Sequence, residues 1–370
     1  AHTPIRPEIL QRYLKNYPDQ DFVQELLSGF TQGFRLNFQS KINPQEPPNL
    51  KSAQDNPDIV LHKLQTEVFK GRMGGGYDTL PFQPHVSPLG LVPKPTPGEY
   101  RLITHLSFPK GASVNDTFRH EDCTVQYETF DHACSLVSQM GQGAWCAKTD
   151  IKEAFRLIPV HPKDFPFLVS KHKGKYFIDR CLPFGLSRSC QIFEKFSSTL
   201  KWIFRSICPF GLICHYLDDF LFIASTKEQC QAMLDLFKAL CADIGVPLAP
   251  EKTVPPTQLI TYLGLQIDTI HMKVIIPQDK LQKARDYLVP LLSVRKAKVS
   301  HIQSLTGLLN FLCRAIPPGR PFLRRMYDLI ANRPKFHYVK LHTDMQQDLK
   351  VWKKFIDSNL GTLVIPSHVV

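Results

Sequence analysis

The sequence predicts an α+β protein with an antiparallel sheet, continued by a basic helical tail. Three observations lead there. Strand-like and helix-like apolar patterns are interleaved without the regular alternation that builds a parallel sheet. Several strand-like runs come in closely spaced pairs, as hairpins do. From Gln278 onward the pattern is helical and rich in Lys and Arg.

In chain order, the spacing predicts an amphipathic helix over Asp21 to Phe30, "DFVQELLSGF". "NPQEPPNLKSAQDNP" then reads as a linker or a strap over the surface, because Pro and Asn break both periodicities. A helix is expected from about Pro57 to Gly71, closing in "GRMGGGY". "LGLVPK" and "YRLIT" flank the turn "PTPGE" as a hairpin, and "AWCAKTDIKEAF" passes from strand-like to helix-like at its middle. "FLVSKHKGKYFID" is a second hairpin with Gly174 near its turn, and "SRSCQIFEKFSSTLKWIFRSI" has the apolar spacing of a long helix. "CHYLDDFLFIAS" is a further hairpin with its aspartates at or beside the turn. A helix from Lys227 to Ile244, one short strand "TYLGLQID" and two or three basic helices complete an all-helical tail.

At 370 residues the chain has room for two or three domains, and 43% hydrophobic content is that of a globular protein. It contains no apolar run of about 18 residues and no signal-peptide pattern, so no membrane partner and an intracellular setting are expected. The ten cysteines include no C-x-x-C pair and several lie in apolar runs, which marks them as reduced core residues rather than a disulfide framework or zinc site. Opening with Ala and closing without a clear terminal element, the sequence reads as an excerpt of something longer. The charge is uneven: from His271 to Val370 there are 17 Lys and Arg against 6 Asp and Glu, a net +11 of the total +12. A segment of that charge is a surface for a polyanion such as nucleic acid, with a solubilising face as the plainer alternative.

Asp218 and Asp219 pose the sharpest question, because two adjacent carboxylates stand among Tyr, Leu, Phe and Ile with no Lys or Arg within eight residues before or seven after. Buried without compensation they would cost several kcal/mol or more. A divalent cation would supply the charge, and hard carboxylate oxygens suit Mg2+. Asp150, at the end of the apolar run in "CAKTDIKEAF", is a third acid in a similar setting. Three carboxylates at two strand ends can hold two metals about 4 Å apart. An isolated Asp-Asp pair is otherwise a solvated turn.

The pair is not isolated. "YLDD" resembles the Tyr-x-Asp-Asp box of reverse transcriptases, and other family motifs follow in order. "SPLGLVPKPTPGEYRLI" is similar to the fingers motif, "TDIKEAFRLIPV" to the first palm motif, "LPFGLSRSCQIFEKF" to the nucleotide-side loop and helix, and "TYLGLQI" to the primer grip. "NLKSAQDNP" and "IQSLTGLLNFLCRAIPPGRPFLRRMYDLI" further resemble retrotransposons of the DIRS type, which encode a tyrosine recombinase elsewhere.

The resemblance implies a right-hand polymerase with fingers, antiparallel-sheet palm and helical thumb. It makes Asp150 and Asp218 the principal ligands of two Mg2+ ions, with Mn2+ as a substitute, Asp219 beside them and the Ile151 carbonyl completing one shell. Lys94 and Arg101 match the pair that grips the incoming triphosphate, although a hairpin bearing both is ordinarily a solvated face. Phe155 falls beneath the sugar, with Ala154 among the dNTP-binding residues; an aromatic there is, without the family, most simply core. Phe184 and Gly185 form the loop where backbone approaches the nucleotide, Phe184 replacing the Gln of some retroviral enzymes as related retrotransposon enzymes do. Lys252, in "PEKT", matches the candidate general acid for pyrophosphate. Tyr216 would lie near the primer terminus, and Tyr262, Leu263 and Gly264 would form the grip. Arg295, Lys296, Lys298, Arg320, Arg324 and Arg325 of the thumb would be available to backbone phosphates.

The implied activity is RNA- and DNA-templated DNA synthesis from dNTPs, in the service of retrotransposon replication. The partners are a template-primer, dNTPs and an RNase H domain in a continuation of the chain. The expected organisation is an N-terminal extension over 1–60, fingers and palm over 61–270, thumb over 271–340 and the start of a connection over 341–370. Two rivals stand beside this reading. One is an RNA-dependent RNA polymerase, against which Phe155 argues; the other is a domesticated, inactive nucleic-acid-binding protein, against which the intact Asp150, Asp218 and Asp219 argue.

Overall fold

The computed structural model describes every residue other than 1, 40, 41, 43, 95, 359–361 and 366–370, and at 362–364 the backbone alone. A four-stranded antiparallel sheet, ordered Leu212–Tyr216, Asp219–Ala224, Trp145–Asp150, Val254–Thr257, lies at its centre. Side chains alternate across a strand, and here both faces are covered. Phe220, Phe222 and Ala224 enter one apolar cluster with the helices Ser189–Ile207 and Lys227–Ile244. Leu221 and Ile223 enter a second, with the helix Phe130–Met140 and the tail. Phe204 packs edge-on to Phe222 and Phe237 at 5.5 and 5.6 Å between centroids. Each such ring, fully buried, stabilises by about 1.5–3 kcal/mol.

The helix Lys227–Ile244 matches its expected bounds because its ends are written in the sequence. Thr226 accepts from the Gln229 N–H at the start, Glu228 sits in the first turn, and Gly245 takes φ 92° at the end. The hairpin Val169–His172 with Lys175–Asp179 turns on Lys173 and Gly174 at φ 48° and 77°, the left-handed pair that a two-residue connection uses. Leu89–Pro93 pairs with Tyr100–Thr104 as expected. The Pro/Asn-rich stretch, whose residue 43 lies outside the described residues, is tied down like a strap at Asn49, which accepts from the Leu89 N–H at 2.8 Å and donates to the Lys171 carbonyl at 2.9 Å, but its Lys51–Gln54 is a short helix and not a linker.

Three expectations need correction, and one strand was not foreseen. "GRMGGGY" does not merely end a helix; Met73–Tyr77 is a strand paired with Lys175–Asp179. Its glycines hide it from propensity, yet a Cβ at Gly75 would lie 2.1 Å from the Phe177 ring, so the pairing needs glycine there. Val254–Thr257 is a strand despite Pro255 and Pro256, which the sheet edge tolerates. "TYLGLQID" is not one strand but a hairpin, Leu259–Tyr262 with Leu265–Asp268, turning on Leu263 and Gly264 at φ 47° and 84°.

The tail, finally, is not all helical. Helices Gln278–Leu292, Val299–Leu312, Arg324–Ile330 and Thr343–Asp357 pack around Leu305, Leu309, Met326 and Trp352. Between them, however, Lys296–Lys298 pairs with Tyr338–Lys340, and Lys273–Ile275 lies between Leu265–Asp268 and Thr362–Val364. These strands are three residues long, too short for a period to show.

Candidate active site

The central sheet brings the three acids together. Asp150 ends its strand directly opposite Asp219, which in turn faces Tyr216. Asp218 occupies the two-residue turn between Tyr216 and Asp219, after Leu217 at φ 53°. The turn is tied down from the neighbouring strand, where the Ile151 N–H donates to the Asp218 carbonyl at 3.0 Å. Asp150 is 6% exposed, and Lys252 donates to both of its oxygens at 3.0 and 3.1 Å. The short turn Pro250–Lys252 that presents this lysine is itself anchored by the Ala249 N–H on the Asp150 carbonyl, 2.9 Å.

Electrostatics follow from that crowding. Burial and the charge of Asp150 raise the Asp218 pKa, and burial with Asp150 and Asp218 pushes Asp219 up to about 6. Burial works against the charge on Lys252, but Asp150, Asp218 and Asp219 outweigh it and raise its pKa. Among the described residues no group of three His, Cys, Asp or Glu is spaced to share a metal ion, and Lys252 is drawn onto Asp150 instead. In chemistry the donor set nonetheless fits a hard divalent cation: carboxylate oxygens whose mutual repulsion a +2 charge would relieve.

Of the residues expected on the nucleotide side, Lys94, Arg101 and Phe184 line a cavity of about 370 Å³ together with Lys63, Lys70 and Arg72, whereas Ala154, Phe155 and Gly185 are not in its lining. Lys94 is paired with Glu99 at 3.1 Å in the open, an exposed pair of about 0–1 kcal/mol that a phosphate can displace. Phe155, on the short turn Ala154–Leu157, packs edge-on against Phe184 at 5.5 Å and Phe193 at 5.6 Å. Gly185 takes φ 87°, and its carbonyl accepts from the Asn115 side chain at 2.8 Å.

Residues 92–267 match the family described as reverse transcriptase (RNA-dependent DNA polymerase). That span holds the acids, Lys252, Arg101 and the loop at Gly185; Lys94 lies inside it as well. The chain carries a reverse transcriptase domain. It is 30% identical over 268 residues to the Gag-Pro-Pol polyprotein of Mason-Pfizer monkey virus, covering 70% of this chain and 13% of that one. It is 29% identical over 166 residues to Protein P of woodchuck hepatitis B virus, covering 44% of this chain and 18% of the relative. Over 201 residues it is 25% identical to the genome polyprotein of Petunia vein clearing virus, 54% of this chain and 9% of that one. The chain thus spans under a fifth of these relatives. In fold it superposes on a foamy viral protease-reverse transcriptase in complex with double-stranded DNA, with TM-score 0.64, 16% identity and coverage of 96% of this chain and 60% of the other. The same foamy viral protein in complex with an RNA/DNA hybrid gives TM-score 0.61 at 16% identity, over 95% and 46% of the two chains. The α+β polymerase fold is therefore that of retroviral reverse transcriptases.

Other expected residues fall less simply. Tyr216 stacks obliquely on Tyr127, 4.7 Å between centroids. Tyr262 is 1% exposed and its hydroxyl is 4.0 Å from the Cys214 sulfur, so its side chain is core and cannot touch a primer. Leu263 and Gly264 form the half-buried turn of that hairpin, where a Cβ on Gly264 would meet the Phe311 ring at 3.1 Å. Arg320 and Arg324 are exposed, whereas Arg325 donates to both oxygens of Asp348, which is 3% exposed, at 2.8 and 2.9 Å. Arg325 thus serves a buried acid of its own helical unit rather than standing free for phosphate. Sequence reasoning missed Arg156, 8% exposed, which is paired with Glu67 at 3.0 Å and Asp179 at 2.7 Å and donates to the Leu182 carbonyl at 3.3 Å. It pins the strand leading into Phe184 and Gly185. It missed Glu153 too, held down to about 2 by hydrogen bonding from Arg72, opposed by burial and assisted by Lys70.

Proposed function

We propose that this domain performs RNA- and DNA-templated DNA synthesis from dNTPs, in a retroelement of the DIRS-type retrotransposon class and in an intracellular setting. The observation that carries the activity is the register of Asp150 opposite Asp219 with Asp218 in the adjoining turn. In this reading Asp150 and Asp218 hold two Mg2+ ions, with Mn2+ as a substitute and Asp219 and the Ile151 carbonyl alongside. Bound there, the metals would activate the primer 3′ hydroxyl and stabilise the departing pyrophosphate. Lys94 and Arg101 take the triphosphate, and their two cations meet charges that grow on its oxygens. Phe155, backed by Phe184 and Phe193, presents a ring to the sugar and leaves little space for a 2′ hydroxyl. Lys252, already charged and within reach of the acids, has a proton to give to pyrophosphate. Leu263 and Gly264 support the primer, and exposed Lys296, Lys298, Arg320 and Arg324 meet the duplex backbone, which reads no sequence and so permits translocation. An RNase H domain would belong to a continuation of the chain. Fingers and palm over 61–270, thumb over 271–340 and a connection from 341 remain the proposed division. Extension of a DNA primer on a homopolymer RNA template, with and without Mg2+, tests the whole reading.

A further inference from the structure

Behind the turn that carries Asp218 lies a buried charged cluster for which the polymerase reading has no use. His215, 3% exposed, stands on the strand Leu212–Tyr216 and stacks on Phe220 at 5.3 Å. Its Nε2 is 2.8 Å from Glu194 Oε1 and its Nδ1 is 3.5 Å from Glu128 Oε2. Glu128 accepts from the His215 backbone N–H at 2.8 Å, pairs with Lys201 and lies 3.8 Å from His132. The second oxygen of Glu194 accepts from the Leu217 N–H at 3.2 Å.

Such a cluster is expensive where apolar side chains would pack as well, because each buried ion costs several kcal/mol before its partners are counted. What it holds is the turn. Leu217 has φ 53°, a conformation that a non-glycine residue keeps only when its surroundings insist. Glu194 reaches the turn from the helix Ser189–Ile207 on one side, while Ile151 holds the Asp218 carbonyl from the other.

We propose that Glu194, itself fixed by His215 and through it by Glu128 and Lys201, is a positioning residue that sets the catalytic turn so that the Asp218 carboxylate meets its metal. The inference rests on the polymerase reading and deepens it. The charged groups around the imidazole are Glu194 and Lys201 from the long helix, Glu128 from the segment before Phe130–Met140, and His132 from that helix, on the far side of Glu128. Burial disfavours the charged imidazole, but Glu128 and Glu194 outweigh it and raise its pKa, in keeping with a clamp made of ions.

The test compares Glu194→Met, which keeps the length and loses the acceptor, with Glu194→Gln, which keeps a carbonyl for the Leu217 N–H. Single-nucleotide extension kinetics, primer-template Kd and thermal melting are measured on each. Glu194→Met should lower kcat at least about tenfold, since small misplacements of reacting groups cost that much. The dNTP KM and duplex Kd should stay within about twofold, because neither contact involves the turn. Glu194→Gln should recover most of kcat. A kcat for Glu194→Met within about threefold of wild type overturns the proposal, as does a loss shared equally by KM and Kd, or one that Gln does not relieve. Should Glu194→Met fail to fold, His215→Phe, which keeps the stack on Phe220 and removes the clamp, must show the same kcat-only loss or the proposal falls. An inactive wild type would instead remove the polymerase reading and this inference with it.

Discussion

In the proposed function, Phe155 is the residue at which the choice of polymer would be decided. Its ring is held by Phe184 and Phe193 rather than buried outright, so shortening it opens space on the nucleotide side without hollowing the core. Phe155→Val should raise rNTP relative to dNTP use by at least about tenfold, or about 1.4 kcal/mol in relative transition-state energy. Comparing kcat/KM for one dNTP and its rNTP checks this; equal losses with both would make Phe155 a packing residue and favour the RNA polymerase alternative. Asp219 offers a second test. Its folded pKa is raised to about 6, so the folded state binds the extra proton between the unfolded value and pH 6. Stability therefore falls as pH rises through that window, and the cost of the charge is complete above it. Without metal, Asp219→Asn should melt higher than wild type at pH 8, the gap closing toward pH 4. Melting curves at the two pH values measure it, and a pH-independent gap would mean that the carboxylates do not strain one another.

The arginines of the proposed thumb divide into two kinds. Arg325→Ala should lower Tm by several degrees, because Asp348 is left buried without its partner, while Arg320→Ala and Arg324→Ala leave Tm unchanged and weaken duplex binding. Melting and duplex titrations on the three variants separate these roles; equal effects would erase the division. The same contrast shows what could be read from the sequence. Capped helices and alternating hairpins were legible because their signals are local: Thr226 and Gly245 bound one helix, and Lys173-Gly174 mark one turn. The acids were legible because carboxylates among apolar residues need an explanation, and the family motifs supplied one. The strand at Met73–Tyr77 was not, since its glycines are required by Phe177, a residue far along the chain. Nor were the buried fate of Tyr262 and the Glu128–His215–Glu194 cluster, which joins His215 to Glu128, 87 positions away, and Leu217 to Glu194, 23 positions away, with no spacing to betray it.

In the molecule as a whole, charge and chemistry occupy different regions: the last hundred residues carry +11 of the +12, and the acids sit in the central sheet. Truncation at Thr269 would not separate them, because Leu265 and Ile267 share a core with Val274, Leu305 and Trp352. Replacing Lys296, Lys298, Arg320 and Arg324 together by Ala should instead flatten the slope of log affinity against log salt by about 0.9 for each phosphate no longer neutralised. An unchanged slope would put the phosphate-binding surface elsewhere. In the proposed function, affinity belongs to the basic surface and catalysis to the three acids. That division is tested most directly by Asp218→Asn in primer extension on an RNA template with Mg2+, beside a primer-template binding titration. Losing a metal-holding carboxylate to a neutral group of the same size should cost several kcal/mol in the transition state, so extension should disappear while Kd stays within about twofold of wild type. Extension within about tenfold of wild type would mean that Asp218 does not hold a catalytic metal.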